Sequence, residues 1–203
     1  MPSHVVLYKA AAFEVRKYAP SVLAMCSYGD GVKWGDPSND SSPFMQLARY
    51  IGVFGQAQNS PSDKIPMTAP VLIAPEAIPM TAPVLVAGGG EAAGDTMSFV
   101  LPASKYSKVE DAPVPTNPNI KLQQLPERVQ AVRAFTWSFR ADRARENLAI
   151  LLDDLERDGR YAPQRTAAGE VDWTAAGYNA PFVLPFMKRN EVMVSVLENP
   201  KAA

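Results

Sequence analysis

The chain has 203 residues, of which 47% are hydrophobic and 20% charged, and its 20 basic and 21 acidic side chains leave a net charge of −1. That length and composition suit one medium globular domain, and the charge balance offers no footprint for nucleic acid or an anionic membrane. A lone cysteine, Cys26, excludes an internal disulfide; a lone histidine, His4, excludes Cys/His metal clusters and would have to serve any Ser-His-Asp triad from a terminus expected to fray.

No apolar run is long enough to span a bilayer, and the opening "MPSHVVLYKAAAFEVRKYAP" lacks the basic-then-apolar order of a signal peptide. The expectation is a soluble cytoplasmic protein, or an organellar one if a transit peptide has been removed. Nineteen prolines favour short strands over long helices. "FEVRKY" (13–18) alternates apolar and polar residues like a half-buried strand, and "APSVLAMCSY" (19–28) reads as its antiparallel neighbour. After a Gly- and Ser-rich loop, Ser42 is an N-cap candidate and Pro43 suits the first helical position. Phe44, Leu47, Ala48 and Ile51 then fall on one helical face, and Gly52 terminates it.

The next stretch is unusual: residues 65–72 recur without change at 78–85, thirteen positions on, in "IPMTAPVLIAPEAIPMTAPVLVA". Side chains alternate along a strand with period two, and thirteen is odd. "APEA" (74–77) must therefore hold a turn or bulge if both copies bury the same face. The expectation is that the first copy fills a single strand slot while the second forms an extra hairpin arm or covers an edge. "MSFVLP" (97–102), "IKLQQLP" (120–126) and "RVQAVRAFTWSF" (128–139) are further strands, the last with Phe135, Trp137 and Phe139 continuing its alternation. The clearest helix covers about 142–158, with Ala144, Leu148, Leu151, Leu152 and Leu155 as its buried stripe and Gly159 as its stop. "VDWTAAGYNAPFVLPFMKRN" (171–190) reads as a loop before the terminal strand "EVMVSVL". Strands, helix, strands, repeated once, predict one α+β domain built by pseudo-duplication around an antiparallel sheet.

Taken in order, "FEVRKYAPSVLA", "FMQLARYI", "KIPMTAPV", "MSFVLP", "RENLAILLDDLERDG" and "YNAPFVLPFMKRNEVMV" resemble the SOUL / heme-binding protein family over nearly the whole chain. The resemblance implies a distorted antiparallel β-barrel of two pseudo-repeats flanked by two helices. It covers residues 1–203 as a single heme-binding domain, with a thirteen-residue tandem insertion within 65–87, because relatives carry "K-I-x-M-T-x-P-V" once. It also implies reversible, non-catalytic binding of heme, or of another porphyrin, in an apolar cleft between the first helix and the loop before the last strand.

Heme is a flat apolar disc with two carboxylates at one edge, so a carrier needs a greasy slot with cations beside it. The first helix offers Phe44 and Ala48 with Arg49; the late loop offers Tyr178, Phe182, Val183, Leu184 and Phe186 with Lys188 and Arg189. Without the resemblance, the helical stripe reads first as ordinary core, and "KRNE" (188–191) as a solvated turn with internal ion pairs. Some relatives carry a basic residue inside the late apolar run, where this chain has "PFVLPF". No axial ligand is assigned: His4 matches no motif position, Met45, Met67, Met80 and Met187 have a commoner use as core filler, and Tyr178 reads first as a buried, hydrogen-bonded side chain. Two alternatives stand beside a heme carrier, buffer or sensor. One is an effector-binding module for another apolar small molecule; the other is a protein-interaction module using the 142–158 helix. No carboxylate pair or nucleophile–base arrangement points to an enzyme.

Overall fold

The computed structural model describes residues 3–27, 42–62, 64–66, 71–74, 96–166, 169–179 and 183–199. Strand β1 (His4–Lys9) opens the chain and pairs antiparallel with β2 (Glu14–Tyr18). His4 is thus the first residue of an ordered strand, with its ring 5.2 Å from that of Tyr18, and the expected frayed terminus is corrected. Next come β3 (Ser21–Ser27) and α1 (Pro43–Ile51). The helix starts as its sequence predicts: the Ser42 side chain accepts a hydrogen bond from the Met45 amide, and Gly52 closes it in the left-handed conformation.

Strands β4 (Asn59–Ser60), β5 (Val71–Ala74), β6 (Thr96–Val100) and β7 (Val114–Pro115) lead to β8 (Ile120–Leu125) and β9 (Arg128–Phe135). Strand β9 ends at Phe135 and does not carry its alternation on to Trp137 and Phe139. Trp137 has φ of 77°, which turns the chain towards α2 (Ala141–Asp158). The expected loop at 171–190 also contains structure. After β10 (Tyr161–Pro163), Trp173–Gly177 forms β11 and Pro185–Met187 a 3-10 turn, before β12 (Asn190–Glu198). In "WTAAG" two small alanines replace the strong apolar alternation that marks a strand, so β11 is hard to see from sequence.

Among the described residues, ten strands form one antiparallel sheet in the order β1-β2-β9-β12-β11-β5-β6-β3-β8, with β10 added on β12; β4 and β7 make a separate ribbon. The sheet curls into a half-barrel, and the fold class is the α+β arrangement predicted from sequence. Reading outward from the seam between β5 and β11, one side runs β5-β6-β3-β8 and the other β11-β12-β9-β2. The units β3-α1-β5-β6 and β9-α2-β11-β12 are therefore pseudo-equivalent. The strand before each unit is exchanged: β2 pairs with β9, and β8 pairs with β3.

This exchange corrects the expectation that β3 lies beside β2. The links 19–20 and 126–127 each have two residues, Ala-Pro and Pro-Glu. A two-residue hairpin needs positive φ at one or both positions, and neither dipeptide supplies it. The chain crosses to the other half instead.

Residue parity separates the two faces of the sheet. Val22, Ala24, Met97 and Phe99 pack with Leu47, Tyr50 and Ile51 of α1. Val15, Ala131, Ala175, Val192 and Val194 pack with Ala144, Leu151 and Leu155 of α2. Their neighbours one position along, Leu23, Val100, Val132, Ala176 and Met193, join Tyr18 and Leu72 in a third cluster on the helix-free face. The slot between β6 and β11 is filled by Val71 and Leu72, which end the first copy of the repeat, and by Ile73 and Ala74. The second copy lies outside the described residues.

The two helix stops allow a paired prediction. Gly52 and Gly159 have φ of 80° and 73°, a region that costs an L-residue about 1–2 kcal/mol. A Cβ at Gly159 meets nothing within 4 Å, whereas one at Gly52 lies 3.0 Å from Ala57 Cβ and 3.2 Å from Lys64 Cγ. Gly159→Ala should therefore cost about 1 kcal/mol by urea unfolding, and Gly52→Ala roughly 2–3 kcal/mol because overpacking adds to the backbone term.

Candidate ligand cleft

Polar residues on the helix-free face of β2 and β12 form a buried charged network. Glu191, near the start of β12, is fully buried, and its Cα partners are Ala134 on β9 and Ala176 on β11. These two small side chains leave room over the sheet for a carboxylate and its partners. Arg16 Nη1 lies 3.1 Å and 3.2 Å from the two Glu191 oxygens, and its Nε and Nη2 donate to Glu14 at 2.9 Å and 2.8 Å. Arg189 donates to Glu191 Oε1 from Nε and Nη2 at 3.2 Å and 2.7 Å, and the Tyr178 hydroxyl donates to Oε2.

The electrostatics follow from those contacts. Burial alone would depress the Arg16 pKa, but hydrogen bonds with Tyr18 and Glu14 and the charge of Glu191 raise it above the ordinary guanidinium value. The Arg16 hydrogen bond, helped by Lys9, holds Glu14 below the usual carboxylate range. Burial, reinforced by Glu191, pushes Tyr178 well above the usual phenol range. Arg16 stays charged and Tyr178 stays a neutral donor at physiological pH. The Cys26 thiol is also pushed up by burial, which leaves it little thiolate. Among the described residues no group of three or more His, Cys, Asp or Glu side chains could hold a metal ion, and no helix is long and apolar enough to cross a membrane.

Beside this network opens a cleft of about 460 Å³, within the roughly 300–1,000 Å³ usual for small-molecule sites. One wall is the β1–β2 turn, 9–14, with Arg16; another is the end of β9 from Val132 to Thr136; the third is 186–189 of the late loop. The Trp137 amide donates to the Pro185 carbonyl at 2.8 Å, which fixes the late loop against the end of β9. Phe186 and Met187 are more than half exposed and stand beside Lys9, Lys188 and Arg189.

The structure brings together three of the residues singled out from sequence: Phe186, Lys188 and Arg189 line this cleft. Leu184, two residues before, is exposed, and Val183 is half-buried. Tyr178 lies behind the cleft on Glu191, with the Arg189 guanidinium 5.7 Å from its ring centre. Phe182 lies outside the described residues. The α1 residues point elsewhere: Ala48 is fully buried, Phe44 stacks edge-on with Phe99 at 5.8 Å, and neither they nor Arg49 line the cleft. Of the four methionines considered, Met45 and Met187 are among the described residues, and of these two Met187 lines it; Met67 and Met80 lie outside the described residues.

Lys9, Glu14, Arg16 and the central role of Glu191 were not apparent from sequence. In "FEVRKY" the charged positions of an alternating strand read as solvent-facing, yet Arg16 is only 6% exposed. "KRNE" does contain the expected ion pair, Arg189–Glu191, but Glu191 is buried and not part of a solvated turn. Removing one member of a buried ion pair costs about 3–5 kcal/mol, whereas replacing both by apolar residues is often neutral. Arg16→Met and Glu191→Leu should each destabilise by about 3 kcal/mol, and the double variant by clearly less than the sum, in a urea double-mutant cycle.

A family model described as "SOUL heme-binding protein" matches residues 1–195. Human Heme-binding protein 2 is 26% identical over 189 residues, covering 93% of this chain and 80% of that protein. Two solved hydrolases from Listeria innocua share the fold at 11% identity, covering 94% of each chain, with TM-scores of 0.51 and 0.52. By the extent of the family match, the chain belongs to the SOUL heme-binding protein family.

Proposed function

We propose that the chain binds heme or a related tetrapyrrole reversibly, as a carrier, buffer or sensor without catalysis of its own, in the cleft between the β1–β2 turn and the late loop. The observation that carries this reading is the pairing of exposed Phe186 and Met187 with Lys9, Lys188 and Arg189 around one opening. Apolar and aromatic surface suits the porphyrin face, and adjacent cations suit its propionates. The residues present therefore fit the group. When bound, heme would supply an iron centre, for which Met187 is the soft donor in the lining.

The chain's own contribution is binding and orientation. The satisfied Arg16–Glu191–Arg189 network holds the back of the cleft in one arrangement, and Phe186 and Lys188 project from the short 3-10 turn and its end. This placement differs from the cleft expected against α1, whose apolar face is spent on the core beneath it.

Hemin titration followed in the Soret region tests the proposal. Uptake should saturate at one equivalent. Phe186→Ala and Lys188→Ala should each weaken binding roughly tenfold, from lost apolar contact and a lost charge-assisted bond respectively. Arg49→Ala should leave affinity unchanged; a loss there with no effect at Phe186 or Lys188 places the ligand against α1. Unsaturable uptake would defeat the carrier reading altogether.

A further inference from the structure

Arg128 opens β9 on the same helix-free face as Gln130 and Val132. Its Nε donates to Gln130 Oε1 at 3.2 Å, and its guanidinium carbon lies 5.0 Å from the centre of the Tyr18 ring. Its Nη1 is buried without a hydrogen-bond partner. The carboxylate that acts on it among the described residues, Asp172, does so only through a longer-range attraction, and burial pulls its pKa below the ordinary value. The contrast with Arg16 is sharp: one buried arginine is saturated by two carboxylates, and the other has a carboxamide and a ring face.

A second orphan sits nearby in the topology. Ser21 opens β3, the pseudo-equivalent of β9, on the same helix-free face as Leu23, and its Oγ is also buried without a partner. Ser21 and Arg128 flank the two links at which the halves exchange strands. A guanidinium taken out of water needs an anion or a full set of acceptors. The residue as a whole is partly exposed, although its Nη1 is not.

We infer that Arg128 is the receptor of a second site, which takes an oxyanion, a carboxylate or phosphate group, on its buried Nη1. The site is distinct from the proposed tetrapyrrole cleft. Arg128 lies four residues along β9 from Val132 and six from Ala134, about 14 and 20 Å at strand spacing. A carboxylate and a phosphate share the chemistry of this site, and the test separates them.

The experiment is thermal unfolding of the ligand-free protein and of Arg128→Met at constant ionic strength, with chloride replaced stepwise by propionate or by phosphate. Binding to the native state raises the melting temperature in a saturable way. The wild-type protein should gain a few degrees with at least one anion. A rise with propionate alone marks a carboxylate site, and one with phosphate alone a phosphate site. Arg128→Met should melt above the wild type in chloride, because an uncompensated buried charge has gone, and should show no saturable gain. The inference is overturned if neither anion gives a saturable rise in the wild type, if Arg128→Met keeps the rise, or if it melts below the wild type in chloride. Every arm is run in the Lys188→Ala background as well, which weakens anion uptake by the cleft cations, so these outcomes are distinguishable from those of the cleft titration.

Discussion

The exchange of β2 and β8 between the two halves is the constraint on which the rest of the molecule depends. Had β2 folded back on β3, as a local hairpin would, Arg16 would lie in the first half and Glu191 in the second. Pairing β2 with β9 instead puts Arg16 within 3.2 Å of both Glu191 oxygens, although 175 residues separate them. It also sets the β1–β2 turn against the end of β9, where the late loop completes the cleft. Two proline-containing links thus decide which charged groups meet, and the cleft is a product of topology more than of any one motif.

The buried network has a definite energetic character. Two arginines and two glutamates are drawn together on a face whose hydrophobic cluster is built from Leu, Val, Met, Ala and Tyr. Desolvating such groups offsets much of their attraction, so the network adds little net stability over an apolar replacement. What it does add is register: Glu191 finds its three donors only when β12 sits correctly against β9 and β11, since a one-residue slip turns it to the helix side. The same register places Val192 and Val194 against α2 and Met193 on the opposite face.

Features with local causes were legible in the sequence, and those set by distant chain were not. The α1 cap, its proline and its glycine stop are written within eleven residues, and the leucine stripe of α2 within eighteen. The family phrases carried the architecture and led to Phe186, Lys188 and Arg189. Strand β11 was hidden because alanine carries little periodic signal, and β2 was matched to the wrong neighbour because adjacency in sequence is a poor guide where strands exchange. Arg16 was hidden for a related reason. A charged residue in an alternating strand reads as exposed unless a partner is known to wait on the buried face, and Glu191 comes from the far end of the chain.

The doubled octapeptide enters the sheet at β5, through the Val71 and Leu72 of its first copy. The β5 slot is four residues long and is read from both sides: Leu72 lies opposite Ser98 on β6 and Ala176 on β11, and its side chain is buried in the helix-free cluster. A slot this short takes one copy, and the odd offset prevents one straight strand from presenting both copies to the same face. Among the described residues the cleft, moreover, is lined by residues from 9–16, 132–136 and 186–189, and Arg128 is met by Tyr18 on β2 and Gln130 on β9. Neither draws on Ile65, Pro66 or residues 71–74, the part of 65–87 among the described residues. The first copy instead holds Leu72 between β6 and β11. Its effect is on the sheet, where a strand of the pseudo-symmetric seam is encoded twice.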